Sequence, residues 1–125
     1  MRVYAALNKW KRQPFDYGNA DCFQFACFII KQMTGKDYAY GYDYQSEQEA
    51  KQVIDRVGKT GSLSDALDNV FGNRTDDPRD GDPCVVKVPI VGEATGVKAK
   101  GFIVCLTEKG LTRVPMRYFL TGWRV

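Results

Sequence analysis

Residues 20–34 constrain the fold of this chain more than any other segment. Phe23, Phe25, Ala26, Cys27, Phe28, Ile29, Ile30 and Met33 fall on nearly all sides of the helix that this segment predicts. A helix apolar all round must be covered by other elements on several faces, so it belongs at the centre of a domain. Asn19 is placed to cap its start, Asp21 suits the positive end of the helix and Lys31 the negative end. Gly35 ends it. At 125 residues and 44% hydrophobic, the chain is long enough to wrap one such helix in a real core and too short for two comfortable domains. The expectation is one domain over 1–125.

The elements expected around this helix come in two groups. Residues 2–13 read as an amphipathic helix, with Val3, Leu7 and Trp10 inward, Lys9, Lys11 and Arg12 outward, and Pro14 as its end. Ser46-Glu47-Gln48-Glu49 is a capping box that opens a helix over 46–57, with Ala50, Val53, Ile54 and Val57 inward. Gly58 and Gly61 break it. Ser62 or Ser64 caps a short fourth helix carrying Leu63, Ala66, Leu67, Val70 and Phe71, and Gly72-Asn73 closes it. After the turn at 76–83 the pattern changes to strands at 84–91 and 99–107, with a glycine-rich connection over 92–96 between them. Glu108-Lys109-Gly110 makes a hairpin into 111–114, and Trp123-Arg124-Val125 adds a last short strand. Helices first and an antiparallel sheet after them make an α+β layout.

Composition narrows the function. The net charge of +3 comes from 18 basic and 15 acidic residues with no basic run, which gives no footprint for nucleic acid. No apolar run approaches the roughly 20 residues that span a bilayer. Met1-Arg2-Val3-Tyr4-Ala5 lacks the apolar core of a secretory signal. The four cysteines, at 22, 27, 84 and 105, form no C-x-x-C pair. They read first as buried free thiols in a reducing compartment, with no cofactor expected; the alternatives are a metal or iron–sulfur site built from all four, or two disulfides.

Chemistry concentrates at the head of the central helix. The segment Pro14-Phe15-Asp16-Tyr17-Gly18-Asn19-Ala20-Asp21-Cys22 presents a thiol where the helix dipole and free backbone N–H groups favour a thiolate. A cysteine hydrolase pairs that thiolate with a base, normally histidine, and the chain contains no histidine. Cys22 is therefore a vestigial residue, a nucleophile served by another base (Asp16, Asp21, Lys100 or a group from a partner), or a redox or metal-binding thiol. Tyr38, Tyr40, Tyr42 and Tyr44 crowd a loop, either as rings covering the edge of the core or as a contact surface for a protein or glycan partner.

The same residues carry a resemblance. A cysteine atop a central helix, followed by a small antiparallel sheet, resembles the plan of papain-like cysteine peptidases. The stretch from Pro14 to Gly18 and Asp21-Cys22, with the Gly81-Asp82 turn before the first long strand, resembles their NlpC-type branch, which cleaves peptidoglycan stem peptides. More closely, the chain is similar to a family of small phage-encoded, NlpC-like proteins. The shared features are Pro-Phe-x-x-Gly before Asp-Cys, Thr34-Gly35-Lys36-Asp37, Tyr44-Gln45-Ser46, Gly81-Asp82, Gly110-Leu111-Thr112-Arg113-Val114-Pro115 and the final Trp123-Arg124-Val125.

This resemblance implies a papain-like, NlpC-type fold and a role in the tail tip or hub of a long-tailed phage. The implied partners are other tail proteins and peptidoglycan, and the implied location is the virion, after synthesis in the host cytoplasm. It places the family histidine at Lys100 or Gly101, in Lys100-Gly101-Phe102-Ile103-Val104-Cys105. Gly101 has no side chain to take a proton, and Lys100 holds its proton unless strongly desolvated. Phe15 stands where the motif has tyrosine, and Phe23-Gln24 where it has Ser-Gly. With Tyr17 and Asp21, Phe15 and Phe23 are the expected lining of the pocket around Cys22. Losing a general base alone costs about 10²–10⁴ in rate, so three changes in one site imply a degenerate peptidase.

Overall fold

Three of the helices owe their start to one side chain each. In the computed structural model, which describes residues 2–11, 13–89 and 92–125, the order is α1 (Arg2–Asn8), α2 (Cys22–Thr34), α3 (Glu47–Gly58), α4 (Leu63–Phe71) and then six strands. Asp21, Ser46 and Ser62 accept the N–H groups of Gln24, Glu49 and Asp65 and so begin α2, α3 and α4. The cap of α2 is Asp21, not Asn19, whose side-chain amide donates to Asp16 instead (2.9 Å). The first helix stops at Asn8, short of the expected 13, and Lys9 and Trp10 continue it as turns. Arg12, Ile90 and Val91, which belong to the expected first helix and first strand, lie outside the described residues, as does the side chain of Val3.

The strands are β1 (Arg74–Thr75), β2 (Pro83–Val88), β3 (Gly92–Ala99), β4 (Phe102–Thr107), β5 (Gly110–Pro115) and β6 (Phe119–Trp123). They form one antiparallel sheet in the order β1-β6-β2-β3-β4-β5. β2 to β5 is a meander. A single 3₁₀ turn, Met116–Tyr118, then carries the chain back to the β2 edge, where β6 pairs. The architecture is α+β, with the helices preceding an antiparallel sheet.

Residues 92–96, expected as a connection, are the first half of β3. Glycine hides the strand from a propensity reading but serves packing. Gly96 lies between Cys84 on β2 and Cys105 on β4, and a Cβ there would collide with the Cys105 sulfur and the Val104 carbonyl. The sheet alternates strictly around that position. Val85, Val97, Val104, Leu106 and Trp123 face the helices, and Cys84, Val86, Ile103, Cys105 and Val114 face the other way, under Met116, Tyr118 and Phe119.

α2 lies on the helix-facing side as the central element. Phe25, Ala26, Ile29 and Ile30 are fully enclosed. Trp10 covers one flank, edge-on to Phe25 at 5.5 Å. Leu67 and Phe71 of α4 cover the other, beside Cys27 and Ile30. α3 is different. It has no buried residue and leans on α4, so its inward face is only half covered.

The Gly81-Asp82 turn ties the two chain halves together. Gly81 adopts φ +94° against the Met33 side chain. Asp82 is buried and accepts the N–H of Arg79 (2.8 Å) and of Val125 (3.3 Å). Two of the stretches quoted from the sequence, the turn and Trp123-Arg124-Val125, are thus one contact.

Candidate functional site

The loop 14–20 is folded to deliver Asp21 and Cys22 to the head of α2. Asp16 and Ala20 exchange backbone hydrogen bonds of 2.8 and 2.7 Å, which closes a tight turn. Gly18 stands in this turn at φ +87°, its Cα against the backbone carbonyl of Tyr44, and any side chain there would overlap that oxygen. The Gly18 N–H donates to one Asp21 oxygen (2.9 Å), and the Gln24 N–H donates to the other (2.8 Å). The buried Tyr44 hydroxyl meets the same carboxylate and the Gln24 side chain. Burial first, and the Asp21 charge second, push its pKa far above the usual phenol value. Asp21 is therefore a buried junction of loop, helix and tyrosine segment.

Cys22 opens onto a cleft of about 230 Å³ between the head of α2, α3, α4 and the start of β3. Its surface is only partly covered, but protein atoms crowd its sulfur. The element facing it is β3, through Thr95. The backbone N–H and hydroxyl of Thr95 and the N–H of Phe23 point toward the sulfur and favour a thiolate. Burial outweighs them, the Asp21 carboxylate adds to it, and the thiol pKa is raised. The Thr95 hydroxyl is fully buried and finds no hydrogen-bond partner of normal geometry. Tyr17, at the mouth, also has its pKa raised, by burial and then by Glu47.

The residues expected at the site part company here. Tyr17, Asp21, Cys22 and Phe23 do line one cleft. Phe15 does not line it; its ring packs edge-on against Tyr17 at 4.9 Å and against the core beneath α1. Lys100 and Gly101 are the two-residue turn between β3 and β4, exposed, with φ +41° and +77°. Consecutive positive φ values make a tight hairpin turn, a place for glycine and not for a catalytic base. They lie five residues beyond Thr95 on an extended strand, about 16 Å along it, toward the far end of α2. The residue of the sheet that confronts Cys22 is Thr95, near the start of β3.

The tyrosines also separate. Tyr38 packs on Phe71 at 5.2 Å with Lys36 over its ring, Tyr42 meets Phe23 edge-on at 6.1 Å, and Tyr44 is buried. Tyr40 alone is fully outward, 86% exposed. They are mostly rings closing the core and the cleft, and of the four only Tyr40 stands fully outward.

Sequence reasoning missed Thr95, Glu93 and the aliphatic wall formed by α3 and α4. Glu93 accepts from the Ser64 hydroxyl (3.2 Å) at the cleft edge. The alternation of Glu93, Thr95, Val97 and Ala99 with Ala94, Gly96 and Lys98 was the available signal. The other cysteines are buried, and burial raises their thiols, Cys84 to about 12. Among the described residues, no three His, Cys, Asp or Glu side chains gather as a metal site, and no helix is long and apolar enough to cross a membrane.

A cysteine-headed helix laid on an antiparallel sheet, with a cleft at the helix head, defines an α+β domain organised around Asp21, Cys22 and Thr95. The chain belongs to the family described as Domain of unknown function (DUF6950), which it matches over residues 1–125. No curated protein matches it.

Proposed function

We propose that this protein is a structural component of a phage tail tip or hub, built on a degenerate NlpC-type, papain-like domain. In this reading its partners are other tail proteins, peptidoglycan is the surface the assembly meets, and the protein resides in the virion. The observation that carries the loss of catalysis is the pair Cys22–Thr95. The side chain placed to take a proton from the thiol is a hydroxyl, which is no base near neutral pH. Burial and the Asp21 charge both hold the thiol protonated. The chain has no histidine to supply from elsewhere. The tail assignment rests on the motif order from Pro14 to Trp123-Arg124-Val125.

One observation favours a second reading. Cys22 is not sealed over, because the cleft reaches it. A hydrolase acting on peptidoglycan peptides, with a base supplied by a partner subunit, keeps that geometry useful.

Two measurements separate the readings. Maleimide labelling of Cys22 in the folded protein is expected to stay slow through neutral pH and to rise only above the ordinary thiol value near 9. The direction follows from a raised pKa: the thiolate fraction is small until pH passes the folded value. Rapid labelling at pH 7, together with stem-peptide cleavage lost in Cys22→Ala, overturns the structural reading in favour of the hydrolase. For the tail role, deleting the gene from its phage is expected to yield tailless particles or defective tips by electron microscopy. Normal infectious particles refute it.

A further inference from the structure

The cleft beside Cys22 has the composition of a small-molecule site. Val53, Ile54 and Val57 of α3 and Leu63, Leu67 and Val70 of α4 make an almost wholly aliphatic wall. α3 buries none of its residues elsewhere, so this wall is what its apolar face was made to cover. At the closed end lies the fully buried hydroxyl of Thr95, turned toward the Cys22 sulfur but without a hydrogen-bond partner of normal geometry. A buried polar atom left unpaired is costly and is normally satisfied by something bound. Tyr17 and Tyr42 flank the mouth, and Glu47, Lys51 and Glu93 stand on its rim. Glu47 and Lys51 are paired with each other at 3.6 Å.

We propose that this cleft binds a short aliphatic molecule with an uncharged hydrogen-bonding head, an alcohol or a primary amide, whose head bonds to the Thr95 hydroxyl. The chain lies along α3 and α4. The size is right: a cavity of about 150 Å³ takes benzene, so on that scale the cleft holds about nine heavy atoms. The head is uncharged for electrostatic reasons. Asp21, whose oxygens already accept from Gly18 and Gln24, stands beside the sulfur and repels a carboxylate. An ammonium head is drawn toward Asp21 but loses its hydration on entering, and each Asp21 oxygen already serves a backbone N–H of the fold. The inference does not depend on the tail-tip reading, since it rests only on the cleft and Thr95.

The probes are 1-hexanol, hexanoate and hexylamine, titrated into the full chain and followed by amide chemical shifts. Saturable shifts with 1-hexanol are expected at Cys22, Thr95, Leu67 and Val70, in the millimolar range, with hexanoate and hexylamine at least tenfold weaker. Thr95→Val keeps the shape of the side chain and removes the unpaired hydroxyl, so it should fold at least as well as the parent. It should bind 1-hexanol about tenfold more weakly. Ile54→Trp, on the half-covered face of α3, should abolish the saturable shifts and serves as an independent block. Absence of saturable shifts with 1-hexanol, equal binding by Thr95→Val, or equal binding of hexanoate each overturns the proposal.

Discussion

Trp123→Ala is expected to lower the stability of the fold by about 3–5 kcal/mol, the usual range for emptying a fully buried aromatic site. Trp123 has no exposed surface. It sits on β6 where the sheet meets α2 and α4, between Val85, Cys27, Ile30, Leu67 and Phe71, with its ring 5.8 Å from that of Phe71. Its indole N–H donates to Asp68 at 2.9 Å. Asp68 is also held by Arg74 at 2.8 Å, and the Arg74 hydrogen bond, ahead of that of Trp123, keeps its carboxyl below the usual range although partial burial opposes it. The truncation therefore opens a cavity at the junction of three elements and removes one of the bonds on Asp68. Trp123→Phe separates these effects. It keeps most of the ring volume and loses the N–H bond to an ionised carboxylate, so about 1.5–3 kcal/mol is expected. Urea unfolding of both variants against the parent checks this, and a loss under 1 kcal/mol for Trp123→Ala would show that the C-terminal strand is not part of the cooperative core.

The same residue shows what the sequence could and could not reveal. Trp123 was legible as part of a last short strand, which the fold shows as β6 ending at Trp123. Its partner Asp68 was not, since the bond spans 55 positions and neither residue signals the other. The helices were legible wherever a cap and a period agreed: Ser46 and Ser62 open α3 and α4 where the capping pattern places them. The head of α2 was shifted because two candidate caps, Asn19 and Asp21, lie two residues apart. Only the turn at Gly18, forced by the nearby Tyr44 carbonyl, chooses between them. The strand facing Cys22 was hidden for a related reason. Gly92 and Gly96 look like loop residues by propensity, whereas Gly96 is there to leave room for the Cys105 sulfur. The pattern therefore pointed to Lys100-Gly101, which the fold makes a hairpin turn, and gave no hint that Thr95 lines the cleft with Cys22.

Asp21→Ala should be the most damaging single change at the site itself, at about 2–4 kcal/mol: about 1 for the lost N-cap and the rest for polar groups left without their partner. Two backbone donors lose that partner together, the Gln24 N–H and the Gly18 N–H, and the buried Tyr44 hydroxyl loses the carboxylate beside it. Each comes from a different segment, so the loop 14–20, the head of α2 and the tyrosine loop are expected to loosen as one. Hydrogen exchange should show the loss of protection in all three, and exchange confined to the first turn of α2 would mean that the carboxylate acts as a cap alone. Asp21→Asn removes the charge and one of the two acceptors, since its amide nitrogen then faces the Gly18 N–H. Its side-chain oxygen still accepts from Gln24, so much of the cap survives, but the negative charge beside Cys22 is gone. That charge disfavours the thiolate, so removing it should lower the thiol pKa and speed maleimide labelling at pH 8 relative to the parent. Greater stability with Asp21 and greater reactivity without it would show a site in which the fold has kept the carboxylate at the expense of the nucleophile. No change in labelling would mean that burial alone holds the proton on Cys22.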